Sequence, residues 1–173
     1  TGVAPQARKG HGAVVVLNSL LAIFGGPNQD VPVFFADVHL YDIARNHWFQ
    51  PVVTSVGPRP DGRDGHSMAV IEDTVYVFGG VNAKQFLGDL HVLNAPACIW
   101  STPRLAGPAV APRMRPALVA ARADADDATT PTLYVFGGTR AWGAAAAVAT
   151  ATQRHDGDLF AVVLAPAPVA EMF

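Results

Sequence analysis

The sequence is poor in cysteine, and this shortage restricts its covalent structure. Cys98 is the only cysteine among the 173 residues, so the chain cannot form an intrachain disulfide bond. A chain without disulfides is typical of a reducing compartment. The sequence also contains no Asn-x-Ser/Thr acceptor for N-glycosylation, and together these two shortages lead us to expect a cytoplasmic protein.

Charged residues are also scarce. They make up 15% of the chain, the net charge is −2, and only Lys9 and Lys84 are lysines. A nucleic-acid-binding domain carries a strongly basic face, so we expect no nucleic-acid partner. The longest apolar run is far shorter than a membrane span, so we expect no membrane partner. The N-terminal residues do not resemble a signal peptide, and a first residue other than Met is compatible with a piece of a longer chain.

Apolar residues, by contrast, make up half of the chain, which excludes a disordered tail. Many of them fall in three nearly identical segments, Leu21–Gly26, Val75–Gly80 and Leu133–Gly138, whose Gly-Gly pairs are 54 and 58 residues apart. An internal period of about 50 residues indicates a repeat protein built from small, similar units.

The first two repeats also share the residues around the apolar segment. These shared residues are a Gly-His pair before it, an Asp after it and a Trp eleven residues after the Asp: Gly10-His11, Asp37 and Trp48 in the first repeat, and Gly65-His66, Asp89 and Trp100 in the second. This order resembles the kelch repeat. The resemblance implies an all-β fold, a partial kelch-type β-propeller of about three four-stranded blades, the last one incomplete.

We predict one propeller segment over residues 1–173, with blades at about 8–51, 63–103 and 113–173. In the second blade we expect strand a at about Gly65–Ile71, strand b at Thr74–Phe78, strand c at Asp89–Leu93 and strand d around Trp100. Strand b is almost wholly apolar, so both of its faces should be buried between neighbouring blades.

The third repeat departs from this pattern. Pro112–Pro116 replaces the Gly-His start, and an Ala-rich stretch at 144–151, either a short helix or a loop, precedes Asp158. Val169 stands where the Trp is expected, so strand d is either Val169–Phe173 or absent. Propellers usually close with four to eight blades, and a blade buries its faces only against neighbours. We therefore expect further blades from a longer chain or from another copy.

The residues that recur once per blade are interpreted as structural. Glycine pairs permit positive φ and close approach at the end of strand b, histidines and tryptophans pack the blades, and aspartates bond turn amides at the start of strand c. The members of this set are Gly25, Gly26, Gly79, Gly80, Gly137, Gly138, His11, His66, Asp37, Asp89, Asp158, Trp48 and Trp100. The alternatives are a metal ligand for a histidine and a catalytic carboxylate for an aspartate. Neither has the spacing of a known site, so we expect no metal, no cofactor and no catalytic residue.

The binding surface is then expected in the loops. An arginine stands near the start of strand a in every repeat, at Arg8, Arg63 and Arg113. In the kelch adaptors that this chain resembles, arginines at such positions grip acidic peptide segments, because a guanidinium forks onto a carboxylate. The alternative is that each arginine pairs with an aspartate of a neighbouring blade, such as Asp61 or Asp64, or is simply solvated. Phe34, Phe86 and Trp142 are the candidate exposed anchors around this face, and for Phe34 and Phe86 the alternative is packing within the blade.

The sequence therefore predicts a protein–protein interaction module, not an enzyme, that binds an acidic or polar segment through the loops at one end of the blades. Two alternatives remain open at this point. The chain could be the regulatory propeller of a larger enzyme, such as a kelch-containing serine/threonine phosphatase, or a structural subunit of a large assembly.

Overall fold

In a computed structural model the described part of the chain forms three small β-sheets packed side by side and a separate two-stranded ribbon. The structure describes residues 1–28, 30, 33–106, 109–122, 131–142, 152–155 and 158–164. Regular structure within these ranges consists of strands, and no helix there is long and apolar enough to cross a membrane. The all-β propeller architecture expected from the repeats is confirmed.

Blade 1 is a four-stranded antiparallel sheet. Its strands follow one another in space as they do in the chain: β1 (Gly12–Val16), β2 (Leu20–Phe24), β3 (Val38–Asp42) and β4 (His47–Phe49). The central strand β2 pairs Ala22 with Val14 on one side and with Leu40 on the other. These four strands correspond to strands a to d of the predicted blade.

Blade 2 has the same four strands and one more. They are β5 (Thr54–Val56), β6 (Ser67–Ile71), β7 (Thr74–Phe78), β8 (Leu90–Asn94) and β9 (Ile99–Ser101). Strand b is found where it was predicted, and strand c lies one residue later than predicted. The additional strand β5 belongs to the connection that enters the blade, and it pairs in parallel with β9 on the outer edge. In blade 1 the equivalent place is taken by Gly2, which bridges Trp48 in parallel.

Blade 3 contains β10 (Leu105–Ala106), β11 (Ala117–Arg122), β12 (Pro131–Phe136) and β15 (Leu159–Leu164), with β13 (Thr139–Trp142) and β14 (Thr152–His155) as a separate ribbon. The connecting strand β10 pairs directly with β15, in the place that strand d has in blades 1 and 2. The predicted strand d, Val169–Phe173, and the Ala-rich stretch 144–151 lie outside the described residues.

The packing between blades follows a simple alternation. On strand b, the first and third residues before Gly-Gly face the following blade, and the second and fourth face the preceding one. Phe24 and Ala22 therefore join Val75 and Val77 in one core between blades 1 and 2. Tyr76 and Phe78 join Leu133 and Val135 in a second core between blades 2 and 3. Burial of both faces of strand b is thus confirmed for blade 2.

Trp100 belongs to the first of these cores. It is almost completely buried, and its ring meets Phe24 of blade 1 edge-on at 5.1 Å between centroids. Trp48, its equivalent in blade 1, lies on the side of that blade that has no neighbour. It is half-buried and packs on Tyr41 at 4.8 Å. The predicted packing role is therefore found for both tryptophans, with a blade-to-blade contact only for Trp100.

Backbone hydrogen bonds join the blades at the start of strand a. Gly65 N–H donates to the Gly10 carbonyl at 3.0 Å, and Arg115 N–H donates to the Gly65 carbonyl. All three residues have left-handed backbones, with φ of 59°, 61° and 54°. Arg115 therefore occupies the glycine position of the missing Gly-His pair, and it does so at a steric cost that glycine does not have.

We expect Arg115→Gly to stabilise the chain by about 1 kcal/mol, because a side chain in the left-handed region costs roughly 1–2 kcal/mol and glycine's larger unfolded-state entropy returns part of this gain. Urea denaturation would measure the change. Arg104→Gly is the matched control, since Arg104 is exposed and does not have a positive φ, and this substitution should be neutral or destabilising. An unchanged midpoint for Arg115→Gly would contradict the assigned strain.

Candidate functional site: the loop end of the blades

Two clefts lie at equivalent places in blades 1 and 2, between the connection entering the blade and the b–c loop. Cleft A is lined by Ala7, Arg8, Lys9, Asn28 and Asp30. Cleft B is lined by Val33, Phe34, Asp61, Gly62, Asn82, Ala83 and Lys84, and encloses about 360 Å³. In an antiparallel meander the b–c and d–a connections fall at the same end of the sheet, so both clefts open at one end of the blades.

A third cleft lies near the first two, between blades 1 and 2. Trp100 contributes to its lining, and Asp37, Gln50 and Arg59 are among its polar residues. Arg59 also donates a hydrogen bond to the Val53 carbonyl at 2.7 Å. This bond joins two parts of the connection between blades 1 and 2 that line the cleft.

The three predicted arginines lie beneath this end and point into the chain. Arg63 is completely buried, and its guanidinium forks onto the Asp89 carboxylate with N–O distances of 2.7 and 2.9 Å. Arg8 makes the same paired contact with Asp37 at 2.6 and 3.0 Å. Each aspartate immediately precedes strand c of the arginine's own blade, so the partner is neither Asp61 nor Asp64.

Each of these guanidiniums also joins two backbone segments. One nitrogen of each guanidinium donates a hydrogen bond to the carbonyl of the first glycine in the Gly-Gly pair. Arg8 donates to Gly25, Arg63 to Gly79 and Arg113 to Gly137. Another donates to the carbonyl two residues earlier, on the entering connection, at Gln6, Asp61 and Ala111. The arginine thereby fixes the entering connection to the ends of strands b and c.

The aspartates have a second partner on strand c. His39 contacts Asp37 at 2.8 Å and His91 contacts Asp89 at 2.9 Å, both through Nε2. Burial alone would raise the pKa of Asp89, but the hydrogen bonds from His91 and Arg63 outweigh it and hold the pKa well below its usual range. The pKa of Asp37 is lowered in the same way by Arg8 and His39. The prediction that these aspartates bond turn amides is wrong, because their oxygens accept from side chains.

Arg113 is the corresponding residue of blade 3. Its side chain is 1% exposed, and its guanidinium lies 4.7 Å from the centroid of the Phe160 ring. Arg8 lies over Phe35 in a similar way, at 4.3 Å. The prediction that arginines bind a partner assumed that each guanidinium is free to form paired hydrogen bonds with it. This assumption is wrong for Arg8 and Arg63, because their guanidiniums already form such pairs with aspartates of the same blade. Contact between a partner and this set of residues stays a prediction.

The three predicted anchors have different positions. Phe34 is half-buried and lines cleft B, which leaves part of its ring accessible. Phe86 is 5% exposed, because the b–c loop folds back and Phe86 pairs with Val81, so its prediction as an exposed anchor is wrong. Trp142 lies in β13 opposite Thr152, and its side chain is outside the described residues.

His66 and His11 occupy the same repeat position in different surroundings. His66 is buried between blades 1 and 2, where its ring meets Phe24 at 5.3 Å, whereas His11 is exposed at the free side of blade 1. Burial, followed by the nearby charges of Arg63 and His11, lowers the pKa of His66 to about 3. The part of the chain that the structure describes contains no group of three or more potential metal ligands.

Comparison with known proteins identifies the family of this chain. Residues 1–150 match the family model described as the KLHDC2/KLHL20/DRC7 Kelch-repeats domain. The chain belongs to the kelch-repeat family. Its relatives include human host cell factor 2, which is 36% identical over 101 residues, and the zebrafish (Danio rerio) Rab9 effector protein with kelch motifs, which is 33% identical over 95 residues. Rat (Rattus norvegicus) host cell factor 1 is 32% identical over 120 residues.

The matches cover 58%, 54% and 66% of this chain, but only 12%, 26% and 6% of those three proteins, respectively. The kelch chain thus corresponds to a small part of each relative. The family membership supports a protein-interaction module in general.

The Arg63–Asp89 pair gives a stability prediction. Asp89→Asn leaves the buried Arg63 guanidinium without its counter-charge, which should destabilise the chain by about 3 kcal/mol. The control is Asp42→Asn, because Asp42 pairs at 2.7 Å with Arg45, whose side chain is exposed. Water can solvate Arg45 when its counter-charge is removed, so this substitution should cost only about 0–1 kcal/mol. Equal shifts of the two variants in chemical denaturation would show that the burial of Arg63 adds nothing to the cost of losing its partner.

His66 gives a pH prediction. Its pKa is about 3 in the folded chain and about 6.5 when unfolded, so the unfolded chain binds more protons between these values. Its contribution to stability is therefore complete above pH 6.5 and is lost as the pH falls toward 3. Between about pH 6.5 and 4.5, wild type should lose about 2 kcal/mol that His66→Phe does not lose.

The range from about pH 6.5 to 4.5 lies above the ordinary pKa of an aspartate, so Asp37 and Asp89 contribute little to the stability lost in this range. His11→Phe, at the exposed equivalent position, is the matched control and should keep most of the wild-type slope, because burial, the largest cause of the lowered pKa of His66, is unchanged. Unfolding free energies at several pH values would test the prediction, and a wild-type slope in His66→Phe would refute it.

Proposed function

We propose that this kelch chain is a non-catalytic protein-interaction module that binds an acidic or polar protein segment at the loop end of its blades. The observation that carries the proposal is the pair of equivalent clefts, A and B, which open at that end with exposed polar side chains at their rims. Repeated clefts at equivalent positions can contact successive parts of one extended segment.

Each cleft carries one lysine that an acidic segment could contact, next to one aspartate, Asp30 in cleft A and Asp61 in cleft B. Lys9 and Lys84 are the only lysines of the sequence, and they line cleft A and cleft B respectively, both exposed. They do not occupy the same repeat position, so the kelch pattern does not account for them. Phe34 and Val33 add an apolar surface in cleft B, which suits an apolar side chain flanked by acidic residues.

The clefts are also held in shape before a partner arrives. Arg63 fixes the Asp61 carbonyl below cleft B. The Asn82 side-chain oxygen accepts hydrogen bonds from the backbone N–H groups of Lys84 and Gln85, both at 2.9 Å. A loop that is already ordered loses less conformational entropy on binding. The buried arginines therefore support the binding surface indirectly, through the backbone of the connections.

Fluorescence anisotropy with three short labelled peptides would test the proposal. Each carries a central phenylalanine, flanked by glutamates, by lysines or by serines. We expect the acidic peptide to bind most tightly, and its binding to weaken as salt rises toward about 0.15 M, because exposed charges are screened. The variant Lys9→Glu/Lys84→Glu should weaken binding by roughly tenfold, since exposed ion pairs contribute up to about 1 kcal/mol each.

Arg45→Glu is the control for charge reversal. Arg45 is exposed in the turn between β3 and β4, at the opposite end of the blade, and this variant should bind as the wild type does. Equal binding of the three peptides, or equal loss in the Lys9/Lys84 and Arg45 variants, would exclude the proposed face.

A further inference from the structure

The third cleft, between blades 1 and 2, has the size and the lining of a site for a small molecule. It encloses about 260 Å³, somewhat less than the roughly 300–1,000 Å³ of clefts that hold drug-sized ligands. Its wall is partly apolar, with Val38, Val53 and Trp100, and its three polar side chains are Asp37, Gln50 and Arg59. Such a lining admits a small ligand that has both an apolar part and polar groups.

The repeat pattern does not account for Arg59. It stands four residues before Arg63, and the residues four positions before Arg8 and Arg113 are both alanines, Ala4 and Ala109. The Arg59 side chain is exposed, and its one hydrogen bond within the part of the chain that the structure describes runs from Nη2 to the Val53 carbonyl. Nε and Nη1 therefore keep their donors. A guanidinium with unused donors at the wall of a cleft is a binding group for a carboxylate.

Asp37 brings the opposite charge to the same cleft. Its side chain is 24% exposed. Its Oδ2 accepts hydrogen bonds from both Arg8 and His39, whereas Oδ1 accepts one from Arg8. A carboxylate oxygen can accept two hydrogen bonds, so among the described residues one acceptor position of Oδ1 is left. A donor group of a ligand, such as an ammonium, can occupy it.

We propose that the third cleft binds a free α-amino acid with an apolar side chain. The carboxylate of the ligand accepts hydrogen bonds from Arg59, its ammonium donates to Oδ1 of Asp37, and its side chain lies against the apolar wall. The exposed Gln50 amide offers a donor and an acceptor to either charged group. A ligand with one charge meets a like charge in this cleft, either Asp37 or Arg59, and like charges disfavour binding. The site is separate from clefts A and B, so peptide binding there and amino-acid binding here succeed or fail independently.

Isothermal titration calorimetry with leucine and two of its derivatives tests the ligand class. N-acetylleucine keeps the carboxylate but has no ammonium, and leucinamide keeps the ammonium but has no carboxylate. We expect leucine to bind, and each derivative to bind roughly tenfold more weakly, because each loses one hydrogen bond between charged groups. Glycine, which has no side chain for the apolar wall, should also bind more weakly. No detectable binding of leucine, or equal affinity for leucine and both derivatives, would overturn the proposal.

The variant Arg59→Ala tests the position of the ligand. It introduces the residue that stands at the equivalent positions of the other two blades, so the fold should survive, and leucine should bind roughly tenfold more weakly. Leucinamide has no carboxylate for Arg59 to contact, so its affinity should not change. Equal losses for leucine and leucinamide would show that Arg59 only shapes the cleft through its bond to Val53, and would refute the proposed contact. Arg104→Ala, at an exposed arginine that does not line the cleft, is the control and should bind leucine as the wild type does.

Discussion

Each blade of this chain has apolar side chains on both faces, and both faces can be buried only when the blade lies between two others. This requirement explains why strand b is almost wholly apolar, why alternate side chains of Val75–Phe78 enter two different cores, and why Trp100 and His66 are buried in blade 2 while Trp48 and His11 are not. Burial of apolar surface contributes roughly 25 cal/mol per Å², so the interfaces between blades are the main source of stability. The blades are consequently not independent units.

The recurring arginines, aspartates and histidines have a different role, which is to hold the connecting loops in place at one end of the stacked sheets. In the Arg63–Asp89–His91 set of blade 2 the arginine and the histidine are buried and the aspartate is partly exposed, and the Arg8–Asp37–His39 set repeats this arrangement in blade 1. Each arginine connects the entering connection with the ends of strands b and c. A buried charge is tolerated when its hydrogen-bonding groups are paired, and these forks supply the pairing. The result is a loop end whose clefts have a defined shape.

The sequence predicted the parts of the fold that depend on local patterns. The Gly-Gly pairs, strand b and the packing tryptophan recur with little change, so each repeat supports the interpretation of the others. The roles of Arg63 and Asp89 were missed because they stand 26 residues apart and their contact depends on the fold. A signal was nevertheless present, since an arginine, an aspartate and a histidine two residues after the aspartate recur together in blades 1 and 2. Phe86 was misjudged because its burial depends on how the b–c loop folds back.

The short strand β5 has a consequence for where this protein can be divided. It lies between β4 and β6 in the chain, yet it pairs with β9 and covers the outer edge of blade 2. An uncovered edge strand is a template for aggregation. A truncated chain that starts at strand a of blade 2, at Ser67, would keep all four repeat strands and still leave this edge open. The structural unit therefore starts before the first residue of the recognisable repeat, and expression boundaries placed at Val52 rather than at Gly65 would preserve it.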